Sequence, residues 1–202
     1  MITAVDAERD AVRAALPAGD TVRVVTGGVG PAAAAATAAR ELAGGADLVI
    51  SAGIGGGFAP LAAGDIAVAT ASVFADLGAD SAEGFLPLSA LGMGDESFAV
   101  PPKLAVEFAD RTGGRLGTVL TVATVTGTAA RAAALVGRYP DAVAEAMEGA
   151  GVATAAAAVG VPCAEIRAIS NTVGPRDRSQ WRIADALAAL GRAVADALEE
   201  PS

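Results

Sequence analysis

Glu8, Glu148, Arg167 and Asn171 are the side chains whose types and spacing could do chemistry. The last three fall in residues 145–181, EAMEGAGVATAAAAVGVPCAEIRAISNTVGPRDRSQW. Met147-Glu148-Gly149-Ala150-Gly151 leads into the small-residue run 152–159, which packs only as a close-fitting helix. Glu148 therefore falls at or just inside a helix N-terminus, where the dipole and free N–H groups favour a carboxylate. Pro162 ends the following turn, and 164–170 reads as a strand that carries Arg167 towards its far end and closes on Ser170-Asn171. Ligands of parallel α/β sheets bind at the carboxyl ends of strands. An acid, a guanidinium and a carboxamide are thus set near one sheet edge. An arginine inside a strand also calls for a buried acidic partner. Glu8 falls in the first turn of a predicted helix. It reads either as a surface acid favoured by the dipole or as a general base at a strand-to-helix turn.

Other chemistries are excluded. The chain has no histidine, which removes Ser-His-Asp and Cys-His catalysis and histidine metal sites. Cys163 is the only cysteine; it cannot form an intramolecular disulfide and reads as a reduced core thiol. Gly28-Val29-Gly30 with Ala33 fits a dinucleotide fingerprint. The next predicted strand, 47–51, ends without the acid that would bind a ribose hydroxyl, so the motif reads as a tight turn with close helix packing. The second cluster, SAGIGGGF at 51–58, lacks the Gly-Lys-Ser/Thr of a Walker loop. Its backbone at Gly53, Gly55 and Gly56 is expected to form a loop that cradles an anion or a sugar.

Composition points the same way. The net charge is −9 and the pI near 4.4, which disfavours nucleic acid and acidic membranes as partners. The first ten residues carry Asp6, Glu8, Arg9 and Asp10 rather than a targeting pattern. Apolar runs are broken before they reach the ~18 residues of a membrane span. A cytoplasmic protein is expected.

The elements that must position these residues follow an α/β pattern. Strands are predicted at 2–5, 21–25, 47–51, 66–73, 116–125 and 164–170, and helices at 7–16, 31–42, 104–111, 129–138, 152–159 and 183–198. Asp6 is the expected N-cap of the first helix. Residues 76–102 read as a long irregular connection, and Thr126-Gly127-Thr128 caps the following helix. The closing helix has Ile183, Leu187, Leu190, Val194 and Leu198 at helical spacing. With 202 residues the chain is expected to form a single domain over 1–202, burying roughly 70% of its unfolded surface.

AMEGAG at 146–151 with IRAISN at 166–171 resembles the ribose- and base-binding segments of the purine nucleoside phosphorylase and methylthioadenosine/adenosylhomocysteine nucleosidase superfamily. The continuation SNTVGPRDRSQW, with Asn171 in place of the usual aspartate, resembles one branch of it, the futalosine hydrolases. The resemblance implies a three-layer α/β/α fold with a mixed, twisted central sheet, nucleoside phosphorylase-like. It also implies a homodimer or higher homo-oligomer, with no metal and no organic cofactor. Glu8 matches the glutamate that activates water. Glu148 and Met147 match the ribose-holding pair, and Arg167 would pair with Glu148 or Glu8 and help order the water. The segment holding Gly53, Gly55 and Gly56 lies beside the ribose in this superfamily. Ile54 stands where the nucleosidases have serine, with no phosphate-holding arginine nearby, which argues for water as nucleophile.

The Thr126-Gly127 turn would contact the purine. Ala130 stands where an aromatic ring would stack on it, so Phe58, Phe74, Phe85 and Trp181 are the candidates for that surface. Asn171 donates and accepts at once, which suits a 6-oxopurine such as the hypoxanthine of futalosine. The proton for the leaving base would come from water or from Asp177 if its loop folds inwards. Arg176 or Arg178 would then meet the substrate's benzoate; the bland alternative is a surface ion-pair loop. Other purine nucleosidases and a silent nucleoside-binding module are the rival readings.

Overall fold

The computed structural model describes residues 1–199 apart from 18, 20 and 83. In chain order the elements are β1 (Ile2–Thr3), α1 (Asp6–Ala15), β2 (Val25–Thr26), α2 (Pro31–Leu42), β3 (Val49–Gly57), β4 (Ile66–Phe74), β5 (Gly78–Ser81) and β6 (Gly84–Pro87). There follow β7 (Ser97–Ala99), α3 (Pro102–Thr112), β8 (Arg115–Thr121), α4 (Ala129–Arg138), β9 (Ala142–Ala146), α5 (Gly149–Val159), β10 (Cys163–Thr172) and α6 (Ile183–Leu198).

The sheet is mixed, as the resemblance implies. Its strand order is β10-β4-β8-β9-β3-β1-β2, with β7 beside β4 and a further pairing of β10 with β3. That pairing closes β3, β10, β4, β8 and β9 into a ring, so the twisted sheet curls on itself. β3 runs parallel to β1 and β10 and antiparallel to β9. Most of β10 is buried, as expected for a strand covered on both faces. Helices cover the sheet in two layers. α1, α3 and α6 share one apolar core with the sheet, and α2 and α5 share another.

Several expectations change. The glycine cluster at 51–58 is not an open loop: β3 runs through it, and Gly53, Gly55 and Gly56 are paired with β10. Glycine there leaves room for what packs over the strand. Residues 76–102 hold the hairpin β5–β6 and the short β7 rather than irregular chain. β9 was not expected at all; its alternation is hidden because Ala142–Ala146 is buried throughout. α6 buries Ala186, Ala189, Leu190, Ala193, Val194 and Ala197, while Ile183 is exposed. The stripe is mostly alanine because α1 lies close: a Cβ on Gly191 would meet the Ala11 carbonyl at 2.8 Å.

Candidate functional site

A cavity of about 410 Å³ opens where β1, β3, β9 and β10 end. Its volume is in the range of small-molecule sites. Glu8, Thr126, Glu145, Met147, Glu148 and Asn171 are among the residues that line it.

Glu8 is buried, with 3% of its surface exposed. α1 begins at Asp6, one residue earlier than expected, with Val5 as N-cap. From the third helical position the Glu8 side chain reaches back, so Oε2 accepts from the amides of Ala4 (2.8 Å) and Val5 (3.2 Å). Oε1 accepts from the Ile54 amide at 2.9 Å. Three N–H donors, from the turn after β1, the N-cap of α1 and β3, therefore hold one carboxylate at the cavity.

Arg167 lies behind it, 1% exposed. Its Nε donates to Glu165 Oε1 at 2.9 Å and its Nη2 to Ser51 Oγ at 2.7 Å. Nη1 lies 3.5 Å from Glu148 Oε2. Burial alone would depress the guanidinium, but Glu165, Glu148 and Glu8 outweigh it and hold Arg167 charged. The expected buried acid is thus chiefly Glu165, itself fully buried and bonded to the Ser72 hydroxyl. Burial pushes its carboxyl up against the pull of Arg167. Gly53 permits the convergence. A Cβ there would lie 2.6 Å from Arg167 Nη1 and 2.7 Å from Glu8 Oε1. Gly53 is therefore a packing position and does not line the cavity.

Glu148 is the N-cap of α5, as its sequence position implies. It accepts from the Gly30 amide at 3.1 Å and from the Met147 amide at 3.3 Å. The small residues after it have a direct cause: any side chain at Gly149 would overlap the Glu165 carboxylate.

Further along the same strand, the register of β10 against β3 slips between Ile169 and Asn171. The bulge leaves the Ser170 hydroxyl 2.8 Å from Asn171 Oδ1 and 3.1 Å from the Gly55 carbonyl. Asn171 Nδ2 donates to the Thr172 carbonyl at 3.0 Å. Thr126 lines the cavity, but its amide already donates to Glu145 Oε1 at 2.8 Å, and its hydroxyl donates to Glu145 Oε2. Burial lifts the Glu145 carboxyl above its ordinary value despite these donors.

Other candidates fall outside. Gly127 does not line the cavity; its carbonyl accepts from the Arg176 amide at 3.3 Å. Asp177 is exposed and accepts from Ser179 and Gln180. The Ser179 donors hold it below the usual carboxylate range. Of the four aromatic candidates, Trp181 alone lines the cavity. Phe58 is core, Phe74 packs edge-on against Phe98, and Phe85 lies under Arg138. Arg176 and Arg178 both stack over the Trp181 ring. The Cys163 thiol is pushed up to about 12 by burial, which leaves it inert. Among the described residues no cluster suits a metal ion, and no helix is long and apolar enough to cross a membrane.

Glu165 and Glu145 escaped the sequence reading. Glu165 had a signal: it lies two residues before Arg167, on the same face of a strand. Glu145 had none while β9 went unread.

Two carboxylates, Glu8 and Glu148, thus lie beside the buried guanidinium of Arg167, and the Asn171 carboxamide lines the same cavity at the ends of a mixed sheet. The family model of the phosphorylase superfamily matches residues 4–199. A futalosine hydrolase of Streptomyces coelicolor is 55% identical, over 95% of this chain and 91% of that protein. The solved methylthioadenosine/adenosylhomocysteine nucleosidase of Neisseria meningitidis superposes with a TM-score of 0.82 at 21% identity, covering 98% of this chain and 96% of that one. The futalosine hydrolase of Helicobacter pylori gives 0.81 at 19% identity, covering 98% and 95%. The chain belongs to the phosphorylase superfamily, in its futalosine hydrolase branch.

Proposed function

We propose that this enzyme hydrolyses the N-ribosidic bond of futalosine, releasing hypoxanthine and dehypoxanthinyl futalosine. The observation that carries this reading is the charge arrangement around Glu8. Arg167 is already committed to Glu165, Ser51 and Glu148. A phosphate dianion beside Glu8 and Glu148 would meet two carboxylates, with the adjoining guanidinium of Arg167 already paired, so water is the nucleophile this end of the site favours.

In this reading Glu8 takes a proton from water as its oxygen bonds to C1′. The C1′–N9 bond breaks and its electron pair leaves with the base, which is protonated at N7. Glu148 accepts from the ribose hydroxyls and, with its negative charge, steadies the oxocarbenium-like sugar. Met147 packs on the ring. Arg167 positions Glu148. Asn171 turns its amide N–H to O6 and its oxygen to the protonated N7, with Ser170 orienting the amide. Asp177 is a poor acid where it stands, so water supplies the N7 proton. Trp181 supplies the aromatic wall, with Arg176 beside it for the substrate's carboxylate.

The same reading places the enzyme in the cytoplasm, as a single domain acting in the futalosine route to menaquinone. It also makes the enzyme a homodimer. The exposed valines Val5, Val29 and Val125 around the cavity support a covering second copy, which sedimentation would show as a doubled mass. The test of the activity is base release with purified protein: Glu8→Gln should lose turnover of futalosine by about 10²–10⁴-fold while still binding it. Full turnover in that variant would overturn the assignment of the base.

A further inference from the structure

Glu165 is fully buried, does not line the cavity and has no task in the reaction above. Arg167 links it to the site. Its Nε donates to Glu165 Oε1 at 2.9 Å, while its Nη1 lies 3.5 Å from Glu148 Oε2. The guanidinium that positions Glu148 therefore also brings a positive charge up to the ribose end of the cavity. Loss of the base leaves the sugar oxocarbenium-like, and a cation beside Glu148 works against the attraction that stabilises it.

Glu165 is placed to cancel that charge. Ser72 on β4 donates to its Oε2. α5 starts directly against it, since a Cβ on Gly149, the first residue of that helix, would overlap both carboxylate oxygens. A helix N-terminus favours a negative charge. Arg167 and Glu148 are the charged groups that face it, and Cys163, on its own strand, keeps a neutral thiol. Burial works against ionisation of Glu165; the guanidinium, the Ser72 hydroxyl and the helix start work for it.

We propose that Glu165 is a positioning residue that holds Arg167 by Nε and cancels its charge, so that Glu8 and Glu148 face the sugar as uncompensated carboxylates. It acts through Arg167 and does not touch the substrate. The inference rests on the reading of Glu148 as the ribose holder, whatever base that ribose carries.

The test compares two sugars that differ in one charge. One is an iminoribitol, a ribose ring with a protonated ring nitrogen; the other is anhydroribitol, its neutral ring-oxygen counterpart. Calorimetry with wild type should show a preference for the cation. Glu165→Gln keeps the size of the side chain and an acceptor for Arg167 Nε but removes the charge. It should narrow the preference by about 10- to 50-fold, the worth of a unit charge at about 7–10 Å in protein. In turnover it should lower kcat with little change in KM, because the cation forms only in the transition state. An unchanged preference would mean that Glu165 carries its proton or merely braces the fold, and either overturns the proposal. If Glu165→Gln fails to fold, the Glu165→Met, Arg167→Met double variant carries the test, since apolar residues can replace a buried ion pair. Its turnover falls with the loss of Arg167, but its local net charge is that of wild type, and so should its cation preference be. A preference about 10- to 50-fold above wild type would show that Arg167 was never balanced, and would overturn the proposal. If wild type leaves futalosine intact yet shows the charge-dependent preference, the substrate assignment fails and the Glu165 inference stands.

Discussion

Replacing Gly149 by alanine would strike the charge cluster without touching a charged residue. The added methyl would overlap the carboxylate of Glu165, which is fully buried and bonded to Ser72 and to Arg167 Nε. α5 cannot easily back away: a Cβ on Gly151, one half-turn on, would already overlap Pro31 of α2. Overpacking costs about 1–3 kcal/mol, and loss of the charge-assisted bond to Arg167 about 1.5–3 more. The sum, about 2.5–6 kcal/mol, corresponds to a fall in melting temperature of about 5–24 °C for a chain of this size. Activity should fall further than folding, because a displaced Glu165 releases the guanidinium that positions Glu148. Thermal melting and futalosine turnover at a temperature where the variant is folded read the two effects. Adding Glu165→Ala should cost less than the sum of the two single changes by about 1 kcal/mol or more, since the methyl then enters vacated space. A Gly149→Ala protein that melts within about 2 °C of wild type and keeps full activity would refute this account of the cluster.

Arg167→Met should leave Glu165 buried and unpaired and cost about 3–5 kcal/mol, measured by denaturant unfolding. Trp181→Ala should raise KM for futalosine by about 5- to 100-fold, the usual worth of a base or ring stacked on an aromatic wall, with a smaller change in kcat. The pH dependence of stability tests Glu145. Its carboxyl is lifted above 4.5 in the folded state, so the folded protein holds that proton more tightly than the unfolded chain does. Its contribution is therefore complete below the unfolded value and is lost as pH rises through the folded one. The melting temperature of wild type minus that of Glu145→Gln should fall as the pH is raised from about 4 to about 7, measured by scanning fluorimetry.

The fold was legible where periodicity and turn chemistry are strong. α2, α4 and α6, the core of β4 and β10, and the placing of Glu148 at a helix start all follow from local sequence. The glycine run at 51–58 misled, because glycine signals turns more often than strands. Here it is strand kept bare so that Arg167, Glu8 and Asn171 can approach it, a long-range cause that no local window contains. β9 was hidden for a related reason: a short, wholly buried alanine-rich strand has no alternation to read. At the site, the residues carrying the superfamily's motifs converge, whereas Glu145 and Glu165 required the pairing of strands distant in sequence. Asp177 lies off the cavity because the loop after β10 folds on itself, with Asp177 capping the turn at Arg178–Gln180.

The most direct test of the central claim is base release followed by chromatography. Futalosine, inosine, methylthioadenosine and adenosylhomocysteine are run in parallel, each with and without phosphate. The charge arrangement around Glu8 and the carboxamide at Asn171 predict hypoxanthine from futalosine at a rate indifferent to phosphate, with no sugar phosphate formed. Adenine release from methylthioadenosine at a comparable rate, or a rate that requires phosphate, would contradict it.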